Sequence, residues 1–165
     1  MAYQNILVTL DGSKLSEMAL QHAVQIAAPD AHIHILSVVA EGSTTEVASL
    51  ASAASYRVPE QSEQWPYTSQ QRDLHKDNAR KNYLYEVSAW LEPAGYQVTI
   101  EAPQGNVIDT IISVASRGFD AIVMVTHGRT GANKMVLGSV AEAVLQQAPC
   151  PVVIVPANNI LSKTS

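Results

Sequence analysis

The chain reads Ile6-Leu7-Val8-Thr9-Leu10-Asp11-Gly12-Ser13 near its start, a run of branched and apolar residues that is followed by a turn. Residues 14–28 then carry apolar side chains at helical spacing, as expected for a helix with one buried face. Ser13 stands where it can cap that helix, and Pro29 stands just beyond the helix end. A second branched run, residues 33–39, follows closely. This order predicts two parallel strands joined by a helix in a right-handed crossover.

The same alternation continues along the chain. The remaining predicted elements are a helix over residues 72–91, a strand over 97–101, a helix over 107–115, a strand over 121–125, a helix over 139–147 and a strand over 151–155. This pattern predicts an α/β fold, an open five-stranded parallel sheet with helices on both faces. We expect a single domain over residues 1–165, with a long variable excursion at about 41–71 and a loose tail at 156–165.

The composition argues against several classes of function. The 165 residues carry 10 Lys and Arg against 15 Asp and Glu, a formal net charge of −5, so there is no basic stripe for nucleic acid. No apolar run reaches the length of a membrane-spanning helix, and the first residues lack a basic segment followed by an apolar one. The single Cys150 cannot close an intrachain disulfide, and zinc-ligand spacings are absent. We therefore expect a cytoplasmic protein with no membrane insertion, no nucleic-acid partner and no metal held by protein side chains.

Several polar residues have a purely structural interpretation. Charged residues of the helix predicted over 72–91, Arg80 and Lys81 among them, are interpreted as a solvated surface. Asp11 can form a turn with Gly12, and Cys150 is interpreted as an inert thiol of the core.

The segment after the fourth predicted strand reads Thr126-His127-Gly128-Arg129-Thr130-Gly131-Ala132-Asn133-Lys134-Met135-Val136-Leu137-Gly138-Ser139. Gly128 and Gly131 leave the backbone bare, which lets a ligand approach it closely. Gly138-Ser139 opens a helix whose free N–H groups and positive dipole end favour an anion such as a phosphate. Turn formation and helix capping explain the same residues without a ligand. Neither the P-loop pattern GxxxxGKS/T nor the dinucleotide pattern GxGxxG occurs.

Three stretches of the chain resemble the universal stress protein (UspA-like) family: ILVTLDGS at residues 6–13, THGRTG at 126–131 and LGSVAEAVLQQAPCPVVIV at 137–155. The resemblance extends over nearly the whole chain apart from residues 41–71. It implies a Rossmann- or flavodoxin-like fold of the adenine nucleotide alpha hydrolase-like type. It also implies a homodimer that pairs the last strand, here Val152, Val153, Ile154 and Val155. Such an apolar strand would be a liability at an open sheet edge.

Family members that bind ATP share the pattern G-x2-G-x9-G-S/T. The resemblance places Val125, Gly128, Gly138 and Ser139 on its positions, so that Val125 stands where the first glycine is expected. It further implies that Asp11 contacts the ribose or the adenine and that the Val38 backbone reads the adenine edge. The nucleotide-binding residues implied in this way are Asp11, Val38, Val125, Gly128, Arg129, Gly131, Gly138, Ser139 and Val140.

The leading hypothesis is an adenine-nucleotide-binding stress-response or regulatory protein that acts as a homodimer. Its ligand would be ATP, or AMP or another adenine nucleotide, with Mg²⁺ on the phosphate oxygens. The alternative is a scaffold dimer that has lost nucleotide binding, with Val125 as the trace of that loss and Trp65 and Tyr67 as anchors for a regulatory protein partner. A slow ATP hydrolase is a third hypothesis, for which the sequence identifies no catalytic base and no lysine comparable to that of a P-loop.

Overall fold

The computed structural model describes residues 2–40, 69–126 and 137–156. The elements in these ranges are, in chain order, β1 (Tyr3–Thr9), α1 (Met18–Ile26), β2 (Ala27–Leu36), α2 (Ser69–Ser88), β3 (Gln97–Glu101), α3 (Val107–Ala115), β4 (Ala121–Thr126), α4 (Ser139–Gln147) and β5 (Val152–Pro156). The bounds predicted for β3, α3 and α4 are those of the structure.

The strands form one sheet in the order β3-β2-β1-β4-β5, in which all neighbouring pairs are parallel. The predicted open five-stranded parallel sheet is therefore confirmed. The centre of the sheet joins β1 to β4, two strands that are far apart in sequence. The chain continues from β1 into α1 and, further along, from β4 toward α4.

The helices cover the two faces of the sheet in pairs. Helices α1 and α2 bury Leu20 and Leu84 in the apolar layer on one face. Helices α3 and α4 bury Ile111 and Val144 in the layer on the opposite face. The connections that follow β1 and β4 therefore diverge to opposite faces, and a crevice opens between the carboxyl ends of these two strands. Parallel α/β sheets bind their ligands at such a place.

Helix α1 begins later than its sequence predicts. A turn over residues 14–17 precedes it, and Ser13 caps that turn instead of the helix. The Ser16 N–H donates to Ser13 Oγ at 3.2 Å, and Ser16 Oγ donates to the Ser13 carbonyl at 2.7 Å. The predicted capping residue therefore acts one turn ahead of the helix.

Several other boundaries differ from the prediction, among them the end of β2, which is Leu36 and not residue 39, and the end of α2, which is Ser88 and not residue 91. Strand β2 begins at Ala27, directly after α1, so Pro29 lies in the strand, where the pairing with β1 is irregular. Helix α2 begins at Ser69, so the last residues of the predicted excursion 41–71 are helical. Pro156 belongs to β5 and not to the predicted tail. Residues 41–68 and 157–165 lie outside the described residues.

Within the described ranges, no helix combines the length and the apolar character that crossing a membrane requires. The same ranges contain no group of three or more His, Cys, Asp or Glu side chains that could hold a metal ion.

Candidate functional site

A cavity of about 300 Å³ lies at the carboxyl ends of β1, β2 and β4. Its walls are the residues that follow β1 and β2, the end of β4 and the first turns of α3 and α4. The predicted ligand residues that line it are Asp11, Val38, Val125, Gly138, Ser139 and Val140. The fold thus brings together residues from four segments that are distant in sequence. Gly128, Arg129 and Gly131 lie outside the described residues.

Asp11 lies just beyond the end of β1, and its side chain is exposed. Its Oδ1 accepts a hydrogen bond of 2.8 Å from the Ser13 N–H, which makes an Asx turn. Gly12 has a φ of +88°, a value that favours glycine in this turn. The turn that the sequence predicts for Asp11 and Gly12 is therefore present. A carboxylate offers about four lone-pair sites, so the same side chain can also accept a ligand hydroxyl.

Two neighbours of Val38 pair with the chain on the β3 side. The Ser37 N–H donates to the Glu101 carbonyl at 3.0 Å, and the Val39 N–H donates to the Pro103 carbonyl at 2.9 Å. Successive residues of an extended chain present their N–H and C=O groups to opposite edges. The backbone groups of Val38 are therefore directed toward the β1 side.

The pairing between β2 and β1 ends before Val38. The last hydrogen bond runs from the Leu10 N–H to the Leu36 carbonyl at 2.9 Å. Among the described residues, no backbone hydrogen bond follows it at Val38. Val38 consequently offers one donor and one acceptor, side by side, to the cavity that it lines.

Helix α4 begins at another wall of the cavity. Gly138 is its N-cap, with φ −62° and ψ 155° and no side-chain cap in the described part of the chain. The first N–H to bond back along the helix is that of Glu142, which donates to the Gly138 carbonyl at 3.0 Å. The N–H groups of Ser139 and Val140 precede it and have no partner in their own helix. Together with the helix dipole, they make this wall suitable for an anion.

The described structure does not itself require a glycine at position 138. The φ of −62° is ordinary for any L-residue, and a Cβ at Gly138 would meet no described atom within 4 Å. Because Gly138 lines the cavity, its bare backbone leaves room there for a ligand.

Val125, which replaces the first glycine of the motif, is an extended residue of β4 and pairs with Val155. This conformation suits a β-branched residue. The Val125 side chain is half-buried, packs against the apolar layer beneath α1 and α2, and lines the cavity. Its bulk is thus shared between the core and the cavity wall.

A second cavity of about 350 Å³ adjoins the first and shares Ala40, Val107 and Val140 with it. The start of α3 forms part of its wall, and that helix end is already capped. The side chain of Asn106 accepts a hydrogen bond of 3.1 Å from the N–H of Asp109, whose carboxylate lies in the first turn. The N-terminus of α3 is therefore less suited to an anion than that of α4.

The interpretation of Arg80 as a solvated residue is wrong. Its side chain is 4% exposed, whereas Lys81 is exposed. Arg80 Nε donates to Ser37 Oγ at 2.8 Å, and Nη2 lies 3.5 Å from the Asp11 carbonyl oxygen. Helical spacing could have identified this residue, because Arg80 lies one turn before the buried Leu84 on the same stripe of α2.

A second polar network lies away from the cavity lining, between β2 and β3. His34 Nε2 is 2.9 Å from Glu101 Oε2, and the same oxygen accepts a hydrogen bond of 2.9 Å from Arg117 Nη1. Burial lowers the pKa of His34 despite the neighbouring carboxylate. Burial acts to raise the pKa of Glu101, but Arg117 and His34 outweigh it, and the net pKa is lowered.

Two other ionisable groups are held in their neutral forms. Tyr83 donates a hydrogen bond of 3.0 Å to Glu17, and burial together with that carboxylate raises the pKa of Tyr83 well above its ordinary value. Burial also raises the pKa of the half-buried Cys150 thiol, in line with its interpretation as an unreactive cysteine.

Strand β5 forms one edge of the sheet. Val152, Val153 and Ile154 are half-buried, and Val155 is 2% exposed. The carbonyl of Pro151 accepts a hydrogen bond of 2.9 Å from the next strand inward, so alternate residues of β5 pair with β4. The backbone groups of residues 152 and 154 are therefore directed to the open edge.

Comparisons with known proteins agree with the fold and with the family resemblance. The model of the Universal stress protein family matches residues 2–156. Universal stress protein MJ0531 of Methanocaldococcus jannaschii is 32% identical over 155 residues, which are 93% of this chain and 82% of that protein. Putative universal stress protein SH1215 of Staphylococcus haemolyticus is 26% identical over 161 residues, which are 97% of this chain and 88% of that protein.

Solved structures show the same architecture. Protein MJ0577, which in Methanocaldococcus jannaschii is named a universal stress protein, superposes with a TM-score of 0.66 at 24% identity, over 94% of this chain and 97% of that one. A universal stress protein in complex with cAMP gives a TM-score of 0.59 at 22% identity, over 95% of this chain and 99% of that one. The family model matches residues 2–156, and a relative is 32% identical over 93% of this chain, so this chain belongs to the universal stress protein family.

Proposed function

We propose that this protein binds an adenine nucleotide, with ATP as the first candidate, in the cavity at the carboxyl ends of β1, β2 and β4. One observation carries the proposal: a single cavity is lined both by Val38, with its backbone donor and acceptor, and by the N-terminus of α4, which no side chain caps in the described part of the chain. The first suits the edge of a base, and the second suits a phosphate. The cAMP complex of a family member supports the choice of an adenine nucleotide.

The base would lie against Val38. Adenine presents an amino donor beside a ring acceptor on one edge, and the N–H and C=O of a single extended residue are complementary to this pair. A base held in this way would rest on apolar surface, because Leu36 and Ile111 also line the cavity. Burial of a flat aromatic ring against such side chains is favourable, and the two hydrogen bonds would fix its orientation.

The ribose and the phosphates would extend from Asp11 toward α4. Asp11 lines the cavity and can accept a ribose hydroxyl in addition to the Ser13 N–H. The phosphates would then meet the N–H groups of Ser139 and Val140 and the bare backbone of Gly138. Mg²⁺ bound with the nucleotide would be held mainly by phosphate oxygens and water.

The proposal is one of binding and regulation, and not of rapid turnover. Among the described residues that line the cavity, Asp11 carries the one ionisable side chain, and the ribose would engage it. A protein that holds a nucleotide without consuming it can respond to nucleotide supply, since a bound ligand stabilises the state that binds it.

We also propose that the protein acts as a homodimer through β5. The open backbone groups of residues 152 and 154 could pair with the same strand of a second copy in an isologous interface. The half-buried side chains of Val152, Val153 and Ile154 would gain burial there. An apolar edge strand left unpaired would favour uncontrolled association, and a dimer removes that edge.

Native mass spectrometry of the gently purified protein tests both parts of the proposal. We expect the mass of a dimer that carries an adenine nucleotide, and isothermal titration of the nucleotide-free protein with ATP should show saturable binding. An empty protein that gives no heat with millimolar ATP would refute nucleotide binding and favour the scaffold dimer. A monomer under all protein concentrations would refute the β5 interface.

A further inference from the structure

We infer that Arg80 is a positioning residue of the nucleotide site, which fixes the spacing between the ends of β1 and β2 without contacting the ligand. The inference rests on the nucleotide binding proposed above. It concerns a side chain that the described cavity lining does not include. Arg80 lies in α2, and it reaches the two residues that flank the place of the base and the ribose.

The contacts of Arg80 join the two strand ends. Its Nε donates to the hydroxyl of Ser37, the residue directly before Val38, at 2.8 Å. Its Nη2 lies 3.5 Å from the carbonyl oxygen of Asp11. One guanidinium thus spans from the segment that would read the base to the segment that would hold the ribose.

The burial of the Arg80 side chain supports a specific role for its contacts. A guanidinium removed from water is costly unless its N–H groups are hydrogen-bonded, and Arg80 is 4% exposed. An apolar residue would fill the stripe of α2 beside Leu84 without that cost. What arginine adds is a rigid planar fork that donates in two directions at once, which the single ammonium of lysine does not reproduce.

Asp11 also makes a local contact within its own turn. The turn after Asp11 is closed by its own carboxylate, which accepts the Ser13 N–H at 2.8 Å. That bond fixes the carboxylate relative to its own turn but not relative to β2. The Leu10 N–H bond to the Leu36 carbonyl ties the end of β1 to β2, and the contact from Arg80 extends this tie to Asp11, because the same guanidinium is bonded to the buried Ser37.

The test compares Arg80→Met with Lys81→Met in the full-length protein. Both changes remove one positive charge from adjacent positions of α2, but Lys81 is exposed and serves as the matched control. ATP affinity is measured by isothermal titration well below the thermal midpoint of each variant. We expect Arg80→Met to weaken ATP binding about tenfold and Lys81→Met to change it by less than about twofold.

A double-mutant cycle with Asp11→Asn distinguishes a loss of Asp11 positioning from a general loosening of the structure. Asn keeps the side-chain oxygen that accepts the Ser13 N–H. If Arg80 acts through Asp11, Arg80→Met should cost clearly less in the Asp11→Asn background than in the wild type. An equal loss in both backgrounds, or a loss no greater than that of Lys81→Met, would overturn the inference. If Arg80→Met fails to fold, Ser37→Ala takes its place, because it removes the acceptor of Nε and should weaken ATP binding in the same direction. Absence of ATP binding by the wild type would instead refute the proposed function itself.

Discussion

Replacement of Gly138 by Asp should stabilise the fold and weaken phosphate binding at the same time. The backbone at Gly138 has φ and ψ values that any residue adopts, and a Cβ there meets no described atom within 4 Å. Asp is a better N-cap than Gly, because its carboxylate accepts an N–H of the first helical turn and interacts favourably with the helix dipole. The same carboxylate would occupy the place proposed for a phosphate.

The two effects have different sizes. Capping and the dipole together should add about 0.5–1 kcal/mol to the free energy of unfolding, which raises the thermal midpoint by about 1–4 °C in a chain of this size. A carboxylate about 5 Å from a phosphate charge costs about 2–3 kcal/mol at an effective dielectric constant of about 20–40. That repulsion corresponds to a loss of about 30- to 150-fold in ATP affinity.

The assay is a pair of measurements on wild type, Gly138→Asp and Gly138→Asn: thermal unfolding without ligand, and titration with ATP and with adenosine. Asn caps a helix as well as Asp does but carries no charge, so it should give the capping part of the stability gain without the dipole part, and it should lose less ATP affinity. Adenosine has no phosphate, so its affinity should change little in either variant. Equal losses for ATP and adenosine, or an ATP affinity within about twofold of wild type in Gly138→Asp, would refute the placement of the phosphates at α4.

Three other predictions address separate parts of the molecule. The N–H and C=O of Val38 complement the ring acceptor and the amino donor on the edge of adenine, so ATP should bind at least about tenfold more tightly than GTP in competition titrations. Equal affinities would contradict the proposed role of Val38. Ile154→Pro removes a backbone N–H from the open edge of β5 without removing one that pairs with β4, so light scattering should show a monomer with an unchanged circular dichroism spectrum; a persistent dimer would place the interface elsewhere. Burial lowers the pKa of His34 in the folded state, so as the pH falls His34 is protonated in the unfolded chain before it is protonated in the folded protein. The stability that this group contributes is therefore present above a pH of about 6.5 and declines below it. Denaturant midpoints should therefore fall between about pH 7 and 5.5 in wild type and fall less in His34→Gln, whereas parallel curves would show that His34 is not responsible.

The sequence carries enough information to predict the sheet, because apolar runs and helical spacing are local signals that tertiary contacts did not overturn here. Helix α3, for example, begins where Asn106 precedes an apolar periodic segment, and its side chain does cap the helix. Boundaries were less predictable where a turn competes with a helix, as it does between Ser13 and Met18.

The site was predictable only in part. Asp11 was identified as a ligand residue through a resemblance of motifs, and Ser139 was identified from its place at a helix start as well. Their convergence on one cavity depends on strand order, which no local pattern specifies. Arg80 was missed because a charged residue on a helix is usually solvated, and its burial depends on Ser37, which directly follows the distant strand β2. Helical spacing places Arg80 on the buried stripe of α2, but the spacing of that segment does not reveal Ser37 as its partner.

The pairing of β1 with β4 at the centre of the sheet has a consequence for how the protein matures. Ile6 lies beside Ala121, so the two strands that border the crevice meet only after most of the intervening chain has been synthesised and brought together. A cavity assembled from such distant segments cannot exist in a partly folded chain, so nucleotide retained by the protein would report complete folding. At a concentration of about one hundred times its dissociation constant, such a ligand would add about 2.7 kcal/mol to the stability of the whole domain. In a cell rich in the nucleotide, the fraction of folded protein would then change in parallel with the fraction of protein that has nucleotide bound.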